Sequence, residues 1–393
     1  MTKPGLHFPI IAKLRLELIV AIYSIIAILL TAKKDTLLSA RRSLTMRYMF
    51  FYLIVLLLSF IQAVDIKTSW DRMYIWILPN ILLVILVLLY CTNRPQLNLF
   101  LWIFAILTAY LAYDPFYRFV LEGKAVSAYG IEYAVADKGI ASGHVSLAHY
   151  LLQGMPFLWY LSLSLKNNWL KSAGLSLFVF CMIGVAISGS RGGMVGIVVM
   201  FLLISLFSQR RLLLFTLFAL FLSAILIGMG DEYLNHMRSI FELGASDKSA
   251  SSRIAGLISG IELMIKRPVL GVGPGCFPVA RKAWLGWRLW AHNHYGELLG
   301  ELGILGAVSW VLLAKQYILT TWEIRKSEYT ELTLKAVATA IIVSTGIRLV
   351  VGMFDHSLHK FIWYMLAAVS VVLADLSPQM ERSKTPHFSK TSS

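Results

Sequence analysis

Apolar runs close to twenty residues long recur along this 393-residue chain from Leu18 to Leu373, and a helix needs roughly 20 such residues to cross about 30 Å of hydrocarbon. Lipid offers the backbone no hydrogen-bond partners, so each run must satisfy itself as a helix. Hydrophobic residues make up 58% of the sequence and charged ones 15%, which is too apolar for a water-soluble protein of this size. The spans fall near Ile11–Thr31, Tyr48–Val64, Met73–Tyr90, Leu97–Tyr113, Val145–Leu165, Ala173–Ser188, Gly193–Phe207, Leu212–Gly230, Leu298–Leu319, Leu334–Met353 and Phe361–Leu376. The predicted fold class is therefore an all-α polytopic membrane protein. Residues 1–230 form its N-terminal helices, 231–297 a large loop with an amphipathic helix, 298–376 the C-terminal helices and 377–393 a polar tail. Lys13, Arg15 and Glu17 stand at the first run, which has no clear small-residue cleavage site, and it is read as a retained helix.

Basic residues fix the orientation. Lys33, Lys34, Arg41, Arg42 and Arg47, then Arg94, Lys166 with Lys171, Arg210 with Arg211, and Arg325 with Lys326 fall on alternate connections, and such loops stay in the cytoplasm. The connections at 65–72, 114–144, 189–192, 231–297 and 354–360 then lie outside. Parity also places the N-terminus outside, in conflict with Lys3, Lys13 and Arg15 ahead of the first run. Cys91, Cys181 and Cys276 lack metal-type spacing and read as packing residues. The formal net charge of +15 points to anionic lipid or phosphate, leaving no role for nucleic acid.

The loop from Asp231 to Glu297 departs from the charge rule, with Arg238, Lys248, Arg253, Lys266, Arg267, Arg281, Lys282 and Arg288 on the outer side. Long loops cross membranes regardless of charge, and an anionic substrate explains these cations. Ile254, Leu257, Ile258 and Ile261 recur at helical spacing, predicting an amphipathic helix stopped by Pro268. The glycine-rich stretch Pro268 to Gly275 follows a helix, not a strand, so it is neither a dinucleotide fingerprint nor a nucleotide phosphate loop; alone it reads as a tight turn. The segment Ala291-His292-Asn293-His294-Tyr295-Gly-Glu297 clusters polar groups where a loop enters a membrane helix. A histidine there can act as a base, serve as an ordinary interfacial residue, or join His294 and Glu297 or Glu301 around a metal.

Taken together, Ser188-Gly-Ser-Arg191-Gly-Gly193, Ser252-Arg253, Lys266-Arg267-Pro268-Val-Leu-Gly-Val-Gly-Pro-Gly275, His292-Asn293 and Glu301-Leu-Gly303-Ile-Leu-Gly306 resemble the O-antigen ligase and O-antigen polymerase superfamily. The resemblance implies a GT-C-like fold of about 11–12 transmembrane helices with one large periplasmic loop, in a bacterial inner membrane. It implies transfer of a glycan from undecaprenyl pyrophosphate to an acceptor hydroxyl, with inversion, without a cofactor and, for the ligases, without a required metal. On this basis Arg191 and Arg253 bind the pyrophosphate, as bidentate guanidinium groups suit, and His292 takes the proton of the attacking hydroxyl. Arg267, Arg281, Lys282 and Arg288 attract a phosphorylated acceptor, and Asn293 and the intramembrane Arg348 complete the substrate-binding set. The bland alternatives are a snorkelling Arg191, a solvated Arg253 and an Arg348 reaching for the interface.

The basic outer loop favours a ligase acting on the lipid A-core oligosaccharide over a polymerase that extends carrier-linked repeats. A transporter of anions or polysaccharide should show internal repeats and midplane helix breaks, and neither is visible in the sequence.

Overall fold

The structure, a computed structural model, describes residues 43–128, 131–136, 143–238 and 248–377 together with Ile22, Tyr23 and Ile26. The expected first span, the conflicting basic residues before it and most of the 377–393 tail lie outside the described residues.

Ten of the eleven expected spans coincide with helices: α1 Leu44–Ile61, α2 Ile66–Tyr90, α3 Arg94–Leu121, α4 His144–Ser164, α5 Asn168–Ile187, α6 Arg191–Leu206, α7 Arg211–Arg238, then, after two further helices, α10 His294–Lys326, α11 Leu332–Val351 and α12 Phe361–Leu376. Between α7 and α10 lie α8, Lys248–Lys266, and α9, Phe277–Leu285. Six helices, α1, α2, α3, α5, α10 and the α11 segment continued to Phe354, are each long and apolar enough to cross a membrane. The protein is thus an all-α polytopic membrane protein. Among the described residues the sheet is a single hairpin, Val126–Ala128 paired antiparallel with Ile131–Tyr133.

Apolar character on every side marks the central helix. Ile362 to Ala374 of α12 are all buried, as a helix surrounded by protein requires. The other central helix, α4, buries His149 and Gln153 among apolar neighbours. The outer helices instead expose large aliphatic residues such as Leu57, Leu99, Ile103, Leu202, Leu220 and Val311, a surface that lipid covers and water would not tolerate.

Two elements extend past their hydropathy limits at the end of the bundle that carries His292. The span expected at Leu212–Gly230, α7, continues as helix to Arg238 but bends by 90° between Arg211–Ile225 and Ile227–Arg238. The helix expected from Leu298 starts at His294, because Asn293 Oδ1 caps it by accepting from the Tyr295 and Gly296 amides. Hydropathy misses both extensions because their residues are polar.

α10 is broken at Gly303, whose φ of 63° and ψ of −161° suit glycine almost alone. The glycine-rich turn repairs the break. The Val272 and Gly273 amides donate to the carbonyls of Gly300 and Glu301, while the Ile304 and Leu305 amides donate to Pro268 and Val269. Two motifs far apart in sequence are thus one hydrogen-bonded unit, braced by Ser59 Oγ donating to Leu270 and Glu301 carbonyls. A Cβ at Gly303 would lie 2.7 Å from the Gly271 nitrogen and the Pro268 oxygen. Gly303→Ala should therefore destabilise the protein by at least the 1–3 kcal/mol of order that such backbone strain costs, read as a lower thermal midpoint in detergent; an unchanged midpoint would show that the break is not required.

Candidate functional site

The ends of several helices converge on a cavity of about 450 Å³, lined by His144, Ser146, Gly189, Ser190, Arg191, His236, Ser252, Arg253, His292, Phe354, Asp355 and His356. Its size suits a phosphorylated sugar, and its wall holds two arginines against one carboxylate, so it favours an anion.

Local sequence explains how each group is presented. Ser190 caps α6 by accepting from the Gly193 amide, which sets Arg191 as the first helical residue, and Gly189 takes φ +63 to turn the chain out of α5. A Cβ at Gly189 would lie 2.7 Å from Ile131 Cδ1, so the hairpin closes over this turn. Arg253 sits on α8 with its guanidinium carbon 5.4 Å from the Phe354 ring centroid. His292 has φ +47 and is the one non-glycine residue with positive φ among the described residues, the kind of strain that collects at functional sites.

Helix α8 is brought against this segment by glycine. Gly256 lies under the Ala291 carbonyl and Gly260 against Gly296, so that a Cβ would come within 1.7 Å and 2.3 Å of backbone oxygens. This backbone-on-backbone crossing fixes Arg253 beside His292.

Beneath the cavity runs a buried ionic cluster. Asp355 Oδ2 lies 2.5 Å from Lys360 Nζ, 3.2 Å from His149 Nδ1 and 3.8 Å from Arg348 Nη1. Burial would raise the Asp355 pKa, but Lys360, His149 and Arg348 hold it well below the usual carboxylate range. Burial, with Arg253 nearby, lowers the His292 pKa from its ordinary 6.5, against the opposing pull of Asp355. Burial also pushes His356 down to about 4. Both imidazoles are neutral at pH 7, so His292 is able to accept a proton. Because the depressed pKa extends the neutral form to lower pH, the acidic limb of kcat/KM should fall below pH 6.5. A limb at or above that value would show that the His292 pKa is not lowered in the free enzyme.

Of the nine residues singled out in the sequence, Arg191, Arg253 and His292 share the cavity wall. Arg267, Lys282 and Arg288 are exposed on the surface of the segment between α7 and α10. The other three lie behind the wall. Asn293 is the helix cap described above. Arg281 is fully buried, its guanidinium 3.8 Å from the Trp287 ring centroid and donating to the Trp290 and Ala255 carbonyls, so it ties α8 to the chain leading into His292. Arg348 is 1% exposed and supports Asp355. His236, His356 and Ser252 complete the wall without having been predicted there. His236 reaches it through the helical extension beyond Gly230, its Nε2 3.2 Å from the Gly189 oxygen.

Among the described residues one grouping offers metal-type donors, Glu297, Glu301 and His359, with donor atoms within 4.8 Å of one another. It differs from the set anticipated around His292 and His294, and its donors already have partners. Glu301 accepts from the Gly275 and Phe277 amides and lies 2.8 Å from His359 Nε2, while Glu297 accepts from the Leu358 amide. The trio staples the glycine-rich turn to the 355–360 connection.

The cavity residues from Gly189 to His292 fall in a single stretch of chain. Residues 176–311 match the family model described as O-antigen ligase. This stretch is similar to an O-antigen ligase domain. It contains Arg191, His236, Arg253 and His292, whereas His144, Phe354, Asp355 and His356 reach the same cavity from outside it. No curated protein matches the sequence. The match to the O-antigen ligase family model over residues 176–311, together with the apolar helices, supports a multi-pass membrane protein of broadly O-antigen ligase or polymerase type.

Proposed function

We propose that this protein is an inverting glycosyltransferase that moves an undecaprenyl-pyrophosphate-linked O-antigen glycan onto a sugar hydroxyl of the lipid A-core oligosaccharide, at the periplasmic face of a bacterial inner membrane. The observation that carries this reading is the convergence of Arg191, Arg253 and His292 on one cavity, from a stretch similar to an O-antigen ligase domain.

The acceptor oxygen attacks the anomeric carbon from the side opposite the pyrophosphate, the glycosidic oxygen–carbon bond to phosphate breaks, and His292 takes the hydroxyl proton. Undecaprenyl pyrophosphate departs as an anion held by Arg191 and Arg253. Fixed cations aimed at developing charge stabilise the transition state more than the ground state. With the leaving group already stabilised, the step calls on neither an acid nor a metal. Asp355, restrained by Lys360 and Arg348, keeps its charge and orders the floor on which His356 and His292 rest, their ring centroids 5.5 Å apart. The exposed Arg267, Lys282 and Arg288 favour a phosphorylated acceptor, hence a ligase over a polymerase.

The test is a deletion strain complemented with wild type or with single variants, with lipopolysaccharide resolved on gels and carrier-linked glycan quantified. Bare core together with accumulated long carrier-linked polymer supports ligation. Single-repeat material attached to core would make the protein a polymerase. No change in either pool would end the glycosyltransfer reading and leave transport as the alternative.

A further inference from the structure

A second cavity, of about 490 Å³, opens at the end of the bundle opposite His292. The inner ends of four helices frame it: Tyr160, Leu163 and Ser164 from α4, Phe207 and Gln209 after α6, Arg325 from α10, and Leu332, Lys335 and Thr339 from α11. We propose that this cavity binds the phosphate of an anionic phospholipid headgroup from the leaflet opposite the catalytic cavity.

The cations are held ready. Arg325 is half-buried, its guanidinium carbon 4.4 Å from the Phe207 ring centroid and 5.4 Å from that of Trp322. Stacking on rings fixes the direction of a guanidinium without consuming its hydrogen-bond donors. Half-buried Lys335 faces the same space from α11. No carboxylate lies within ion-pair distance of either cation among the described residues; the nearby Glu331 pairs with Arg94 instead. The Tyr160 hydroxyl, in the same wall, is buried without a hydrogen-bond partner, a costly state that a phosphate oxygen relieves.

The remaining lining identifies the source of the phosphate. Leu163 and Leu332 are exposed on the same rim, so an acyl chain lying along the bundle continues naturally from a headgroup seated between Arg325 and Lys335. Inorganic phosphate uses the cations but gains nothing from this apolar rim. Basic pockets between membrane helices recognise anionic headgroups in this way.

The experiment uses the full chain purified in mild detergent, with native mass spectrometry and thermal unfolding in the presence of phosphatidylglycerol, phosphatidylethanolamine or inorganic phosphate. Wild type should retain phosphatidylglycerol at least tenfold more than phosphatidylethanolamine, and only the former should raise its melting temperature. Arg325→Ala/Lys335→Ala should lose that retention and that shift. Lys335→Gln, which leaves the Arg325 stack intact, should weaken both and provides the readout if the double variant folds poorly; Arg211→Ala, outside the cavity, should behave as wild type. Equal retention by wild type and Lys335→Gln, equal retention of the two lipids, or stabilisation by inorganic phosphate matching that by phosphatidylglycerol would each overturn the proposal.

Discussion

Arg253→Ala should lower glycan transfer by about 10²–10³-fold, as loss of one preorganised donor to a developing oxyanion does, and His292→Ala by about 10²–10⁴-fold, the range of general acid–base contributions. Both side chains face the cavity from partly exposed positions, and the buried carboxylate beneath them is tied to Lys360, Arg348 and His149 instead. Lys360, Arg348 and His149 still neutralise that carboxylate after either substitution, and the folded protein should survive both. Arg253→Lys keeps the charge but not the planar pair of donors, and should recover only part of the rate. The measurement is turnover of a carrier-linked donor by purified variants in lipid, with the thermal midpoint recorded alongside. A well-folded Arg253→Ala retaining more than a tenth of wild-type turnover would show that the guanidinium does not touch the leaving group.

Gly256→Val should be nearly as damaging, although Gly256 touches no substrate. Its Cβ would come within 1.7 Å of the Ala291 oxygen, and because the obstacle is backbone, no side-chain rotation relieves it. Helix α8 must lift away from α10 and carry Arg253 with it. Displacement of a catalytic group by about 1 Å can cost on the order of 10²-fold. The expected signature is loss of turnover with α-helical content preserved. Gly286→Ala, at a glycine whose Cβ would meet nothing within 4 Å, serves as the comparison; its φ of +88 limits the damage to local strain. If Gly256→Val transfers glycan at the wild-type rate, the close crossing does not position the site.

Most of the architecture was legible in the sequence. Apolar run length is a local quantity set by bilayer thickness, and for that reason ten predicted spans match helices to within a few residues at most ends. The amphipathic helix from Arg253 to Lys266 was legible too, though it begins earlier, at Lys248. Helix ends that leave the hydrocarbon were not. The stretch to Arg238 and the first turn of α10 carry polar residues, and capping by Asn293 outweighs their low hydropathy.

The candidate site was legible by motif and not by spacing. Arg253 and Arg281 occur in the same basic loop with similar neighbours, yet one faces the cavity and the other is sealed against Trp287. Neither charge nor local hydropathy distinguishes them. The difference comes from glycines at 256, 260 and 296 that let two backbones meet, a relation between segments forty residues apart.

The sequence by itself determined that this chain lives in lipid and which of its described segments form apolar helices, because these follow from burial of local apolar surface and satisfaction of backbone hydrogen bonds within each helix. Only the tertiary structure decided which charged groups share a cavity, that Asp355 is paired beneath it and that the glycine-rich turn mends the break at Gly303. Those outcomes rest on contacts between residues far apart in the chain, whose energies exist only once the helices are packed.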